Sequence, residues 1–191
     1  MTYHHKVLTL WNEGSLNEEE TRILRAPCTD LPIPLNSEAR DQIQTLVDAF
    51  LERDDALGLA APQIGINRKI VIFRNKGFDD ERKGWSKKEK DYDLLINPRL
   101  TQTRGELVKG AEGCLSCPDI QVEVSRFPEV KVRACDRHGK RISKRYMDFL
   151  ARVAQHELDH LEGRLIVDSE GTIYFPKDKK IFFERIFAKI P

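Results

Sequence analysis

Apolar residues spaced three and four apart mark the first strong element: Ile43, Leu46, Val47, Phe50 and Leu51 lay one stripe along a helix predicted over Ser37–Leu57. Ser37 can cap its start. Upstream, Leu8–Leu35 is broken by Gly14, Pro27, Pro32 and Pro34 and reads as an arm of loops, with one capped helical turn expected where Asn17 precedes three glutamates. Downstream, Leu59-Ala60-Ala61-Pro62-Gln63 is a run of small residues ended by Pro62 and Gly65, and Lys69–Phe73 reads as a short strand. Asn75 to Asp93 holds six basic and six acidic side chains, too polar to bury itself, and is predicted to be an exposed loop over 75–93.

Short strands follow. Leu94–Asn97 is expected to stop at Pro98, Val108–Ser116 and Ile120–Val124 are two more, and Val130, Val132 and Ala134 alternate with charged residues before the turn at Asp136–Gly139. A strong helix is predicted from Met147 to Glu162, with Phe149, Val153, His156 and His160 on one inward stripe and Gly163 just past its end. The last element, 177–190, sets Ile181, Phe182, Phe183, Ile186 and Phe187 against five basic and two acidic residues as an amphipathic C-terminal helix. The pattern predicts an α+β fold: short antiparallel strands packed around a central helix, with N-terminal and C-terminal helices, in a single domain over 1–191.

Composition removes several function classes. With 32 basic and 31 acidic residues the formal net charge is +1, which gives no field to hold a polyanion, so DNA is not expected as a ligand. No apolar run approaches the ~18 residues of a membrane span. Met1–Asn12 lacks the apolar segment and small-residue cleavage site of a secretory leader, and a cytoplasmic location is expected. There Cys28, Cys114, Cys117 and Cys135 are not expected to form a disulfide framework.

Candidate chemistry lies in the second helix. Gln155-His156-Glu157-Leu158-Asp159-His160 contains HExxH, which a chain of this length shows by accident in roughly one case in a hundred. Histidines at i and i+4 stand one turn apart and can share one metal ion, with the glutamate placed to take a proton from a bound water. A catalytic site of this type takes a third protein ligand. A histidine six residues past His160 is excluded because Ile166 stands there. Glu184 and Cys114 remain, the latter in Glu112-Gly113-Cys114-Leu115-Ser116.

With these residues together, the chain resembles the peptide deformylases. The three motifs of that family occur in order: Ala56-Leu57-Gly58-Leu59-Ala60-Ala61-Pro62-Gln63, Glu112-Gly113-Cys114-Leu115-Ser116, and Gln155-His156-Glu157-Leu158-Asp159-His160-Leu161. Ile96-Asn97-Pro98 and Gly163 with Asp168 extend the likeness over roughly residues 20–168. The resemblance implies a metal-dependent hydrolase that removes the formyl group from N-formylmethionyl nascent peptides and releases formate. It places the metal on Cys114, His156 and His160, and proton transfer on Glu157. The oxyanion donors would be Gln63 and the backbone N–H of Leu115. Leu57, Gly58, Leu59 and Gly113 would bind the peptide backbone, and Glu112 with Arg126 would orient the cysteine loop. Fe(II) is the metal implied, with Zn(II), Ni(II) and Co(II) also compatible with the donor set. The C-terminal helix would be a contact for the ribosome.

Two features depart from that pattern. Ala56 stands where the first motif begins with glycine, and Cys117 creates Cys114-x-x-Cys117, which would close the site if Cys117 were a fourth ligand. The alternatives are therefore a peptidase with Glu184 as third ligand and a metal-stabilised module without activity.

Overall fold

The computed structural model describes residues 4–12, 15–76 and 87–188, and residues 77–86 of the expected charged loop lie outside them. Among the described residues four α-helices, α1 (Glu18–Arg25), α2 (Ser37–Leu51), α3 (Asp148–Leu161) and α4 (Lys180–Phe187), are combined with eight strands: β1 (Gly58–Ala60), β2 (Ile70–Arg74), β3 (Tyr92–Arg104), β4 (Val108–Cys114), β5 (Cys117–Arg126), β6 (Glu129–Cys135), β7 (Arg141–Met147) and β8 (Ile173–Tyr174). The expected α+β class holds. All strand pairs are antiparallel, in one sheet ordered β1-β2-β3-β6-β7 and a second ordered β4-β5-β8. Among the described residues no helix is long and apolar enough to cross a membrane.

Three apolar clusters join these layers. The α2 stripe of Ile43, Leu46, Val47 and Phe50 packs with Ile70, Ile72 and Ile96 on one face of the larger sheet. On its other face, Val71, Phe73, Val130 and Val132 meet Ala151, Val153, Ala154 and Leu161 of α3. The period of two in the strands and of 3.6 in the helices is what lets one sheet bury both faces. The third cluster gathers Leu10, Trp11 and Leu24 with Val122 and Val124 of β5 and Phe183 and Ile186 of α4. α3 also touches β5, so the helix that carries HExxH bridges the two sheets.

Several boundaries differ from the sequence pattern for local reasons. α2 stops at Leu51, six residues short of Leu57: Lys87 donates to the Leu51 carbonyl at 2.8 Å, and polar residues 52–55 turn away. Its cap is Asn36, whose side chain accepts from Ala39 N–H at 2.8 Å, rather than Ser37. The helical turn after Asn17 is a full element, α1. β3 does not stop at Pro98. It carries a register shift between Ile96 and Arg99, and the missing N–H of proline falls there. Asp91 and Asp93 are buried rather than exposed, because Asp93 accepts from Lys144, Tyr146 and Asn75 across the sheet. Phe149 is 47% exposed and leaves the inward stripe of its helix.

Candidate metal centre and its cleft

The i, i+4 spacing on α3 brings His156 and His160 one turn apart, ring centroids 5.0 Å from each other. Cys114 ends β4 at a two-residue turn and reaches the same point: its Sγ lies 3.4 Å from His160 Nε2. One ligand atom from each of Cys114, His156 and His160 falls within 4.8 Å of the others, and among the described residues these three alone form such a group. Cys117 is not in it. Glu184 sits on the exposed side of α4 beside Lys180 and is not in it either. Sulfur and imidazole donors at this spacing suit a single tetrahedral metal, for which metal–ligand distances of about 2.0–2.3 Å place donors about 3.5 Å apart.

Behind the donors is a saturated polar network. Glu112 Oε2 accepts from His156 Nδ1 at 3.0 Å, which fixes the ring and leaves Nε2 for the site. Arg126 grips both oxygens of Glu112, Nε to Oε1 at 3.0 Å and Nη2 to Oε2 at 2.9 Å, and donates Nη1 to Asp159 at 2.5 Å. Burial works against ionisation of Glu112, but the His156 and Arg126 hydrogen bonds outweigh it and hold its carboxyl at about 2, below the ordinary 4.5. Of the two residues expected to orient the cysteine loop, Glu112 contacts a histidine of the cluster and Arg126 holds Glu112 in place. Arg152 and Asp159 were not anticipated from the sequence. Arg152 Nη1 donates to Glu112 Oε1 and to the Val124 carbonyl, each at 2.8 Å, and Nη2 to the Val108 carbonyl at 2.6 Å, which ties α3 to β4 and β5. The signal for Arg152 was its position one turn before His156 on the same helix face.

In front of the donors the chemistry is the opposite. Glu157 is 4% exposed, and its Oε2 has no hydrogen-bond partner among the described residues. Burial pushes its carboxyl up to about 7, with His156 and His160 pulling the other way. Gly58 allows this placement: a Cβ there would overlap the Glu157 carboxylate. Gln63, 2% exposed, accepts from Ala60 N–H at 2.9 Å through Oε1. Its amide nitrogen donates to Ser116 Oγ at 3.1 Å and lies 3.7 Å from Cys114 Sγ. Leu115 occupies the turn between Cys114 and Cys117.

The Cys114 thiol is held well below its ordinary 9.0, first by the Cys117 thiol facing it and then by the two imidazoles against the cost of burial; Cys117 is pushed up by burial and by Cys114. The His156 imidazole moves up despite burial because Cys114 and Glu112 favour its charged form. A thiolate–imidazolium pair of this kind gives up a proton when a cation takes its place.

A cleft of about 570 Å³ opens onto these groups, with Leu57, Gly58, Gly113, Leu115, Phe149 and Val153 on its walls. β1 is an edge strand of the larger sheet and β4 of the smaller, so two sheet edges border it. Leu59 differs from its neighbours: its side chain is fully buried in the α2 cluster and only its backbone belongs to the edge. Ala56 is also buried, 1% exposed, and forms part of that cluster while bordering the cleft.

Comparison with known proteins gives one consistent result. The sequence profile described as "Polypeptide deformylase" matches residues 15–173. A peptide deformylase of Rickettsia akari is 38% identical over 136 residues, covering 69% of this chain and 75% of its own length. Peptide deformylase 1 of Vibrio vulnificus is 38% identical over 152 residues, covering 76% and 83%. Among solved structures, a peptide deformylase of Synechococcus elongatus in complex with actinonin superposes with a TM-score of 0.69 at 28% identity, covering 98% of this chain and 86% of that one. A Met-Ala-Ser-bound class I type b peptide deformylase of Acinetobacter baumannii gives 0.66 at 29% identity, covering 85% and 98%.

Proposed function

The chain belongs to the polypeptide deformylases, hydrolases that remove the formyl group from the N-terminal formylmethionine of new proteins, and from that premise we propose how its own residues carry the reaction. The observation that supports the assignment most is the convergence of Cys114, His156 and His160 beside a buried carboxylate oxygen that has no hydrogen-bond partner among the described residues. Cys114, His156 and His160 would hold one divalent metal ion, which when bound supplies a Lewis acid and a water acidified toward neutral pH. Iron(II) is the ion proposed, with zinc(II), nickel(II) and cobalt(II) compatible with the same donors.

Each remaining task falls to a side chain or backbone group of the cleft. Glu157 Oε2 takes the proton of the attacking water and later delivers it to the departing amine, as a buried carboxyl with a raised pKa can. As the formyl carbon becomes tetrahedral, the Gln63 amide and the Leu115 backbone N–H donate to the oxygen that gains charge. The backbone of Leu57, just before β1, of Gly58 and Leu59 in β1, and of Gly113 in β4 pairs with the peptide backbone regardless of sequence. The apolar cleft wall at Phe149 and Val153 receives the unbranched methionine side chain. Glu112, fixed by Arg126, holds His156 from behind. In this account the whole chain is one catalytic domain built around the HExxH helix, and it works on nascent peptides in the cytoplasm. The ribosome would be met through α4, whose Lys180 and Arg185 stay outside the Phe183–Ile186 core.

Formate release from formyl-Met-Ala-Ser tests the assignment. The 191-residue chain loaded anaerobically with iron(II) is expected to release one formate per peptide and to lose that activity on chelation. Metal bound in equal stoichiometry without formate release would contradict it.

A further inference from the structure

Cys117 takes no part in the proposed reaction, yet it is the residue nearest in kind to Cys114. The two are opposed in register at the closing end of the β4–β5 hairpin. Cys117 is 1% exposed, its thiol faces the Cys114 sulfur, and both residues border the same cleft. Cys117 packs among Ile120, Val122 and other apolar members of the third cluster, where a small apolar side chain would also fit. Opposed residues of an antiparallel pair have Cα atoms about 4.5–5.5 Å apart, inside the window of about 4.4–6.8 Å that a disulfide spans. Cys28 lies in a different cluster and Cys135 packs against the α2 cluster, so neither belongs to the cluster that holds this pair.

We propose that Cys114 and Cys117 form an oxidative modification site, at which hydrogen peroxide converts the pair to a reversible disulfide and Cys117 protects Cys114 from irreversible oxidation. The Cys114 sulfur attacks one peroxide oxygen, the O–O bond breaks, and the departing hydroxide takes up a proton to become water. A sulfenic acid is left on Cys114. The Cys117 thiol attacks that sulfur, the S–O bond breaks, and its hydroxyl leaves with a proton as a second water. Two thiols are oxidised and one peroxide is reduced to two waters. The disulfide rests on the hairpin geometry alone. Its consequence for the metal rests on Cys114 being a ligand, because a sulfur in a disulfide no longer offers a thiolate.

One experiment reads the two separately. Zinc-loaded full-length protein is treated with hydrogen peroxide, released zinc is followed with a chromophoric chelator, and remaining thiols are alkylated before trypsin digestion. Both cysteines fall in the single tryptic peptide from Gly110 to Arg126. The expected product is that peptide lighter by two hydrogens and unalkylated, restored to two alkylated cysteines by dithiothreitol, with one zinc released per disulfide and Cys28 and Cys135 still alkylated. In Cys117→Ala and Cys117→Val, Cys114 is expected to gain two oxygen atoms that dithiothreitol does not remove. A wild-type protein in which Cys114 gains oxygen while Cys117 stays alkylated overturns the proposal. A disulfide formed without zinc release upholds it and removes Cys114 from the metal ligands instead.

Discussion

Two regions a few ångströms apart treat a buried carboxylate in opposite ways. Behind His156, Glu112 has both oxygens engaged by Arg126, Arg152 and His156, which hold its carboxyl down at about 2. In front, Glu157 is as deeply buried, keeps Oε2 without a hydrogen-bond partner among the described residues, and burial pushes its carboxyl up to about 7. A satisfied carboxylate fixes geometry, whereas an unsatisfied one has capacity left for chemistry. The site needs both, and the chain separates them onto β4 and α3.

The largest expected break comes from the reactive side. Glu157→Gln keeps the size of the side chain and removes the proton acceptor, so kcat is expected to fall by about 10²–10⁴ while metal content stays at the wild-type level. Steady-state formate release together with metal analysis checks both parts. Gly58→Ala sharpens the same point without touching a charged group. The added methyl must displace the Glu157 carboxylate, and kcat is expected to drop by about 10²-fold, with little change in metal affinity.

On the supporting side the sign reverses. Arg126→Met and Arg152→Met each free a face of Glu112, and metal affinity is expected to weaken by about 10- to 100-fold, with Arg152→Met at the lower end because the bidentate grip of Arg126 remains. Competition titration against a chelator measures this directly. A control lies outside both regions. Burial pushes the Cys28 thiol from 9.0 up to about 11, so the unfolded chain gives up that proton first. Its contribution to stability is complete below pH 9.0 and is lost as pH rises toward 11. Urea midpoints across this window should fall by an amount equivalent to up to about 2–3 kcal/mol, and Cys28→Ala should remove that part of the slope.

How much of this was legible in the sequence divides along the same line. The HExxH pair and Glu157 are fixed by helix periodicity, which acts within one element, and the structure places both histidines on α3 beside Cys114. The Glu112–Arg126 contact was accessible only through family resemblance, since fourteen residues and a strand turn separate the two. Arg152 lies one turn before His156, but its partners, Glu112 and the backbone carbonyls of Val124 and Val108, come from other elements that no residue pattern announces. The burial of Asp93 is hidden for a related reason: Lys144 and Tyr146, which make it tolerable, come from β7, more than fifty residues further along the chain. Pro98 reads as a stop because proline cannot donate to a ladder, but a register shift between Ile96 and Arg99 lets the strand continue past it.

Central to the account is that Cys114 Sγ and the two imidazoles bind one ion together. Anaerobic cobalt(II) titration of the full-length protein, followed by the thiolate-to-cobalt absorption, tests this most directly. The account predicts saturation at one cobalt per chain with a band that disappears in Cys114→Ala and persists in Cys117→Ala and Glu157→Gln. A band unchanged in Cys114→Ala, or one that requires Cys117, would contradict it.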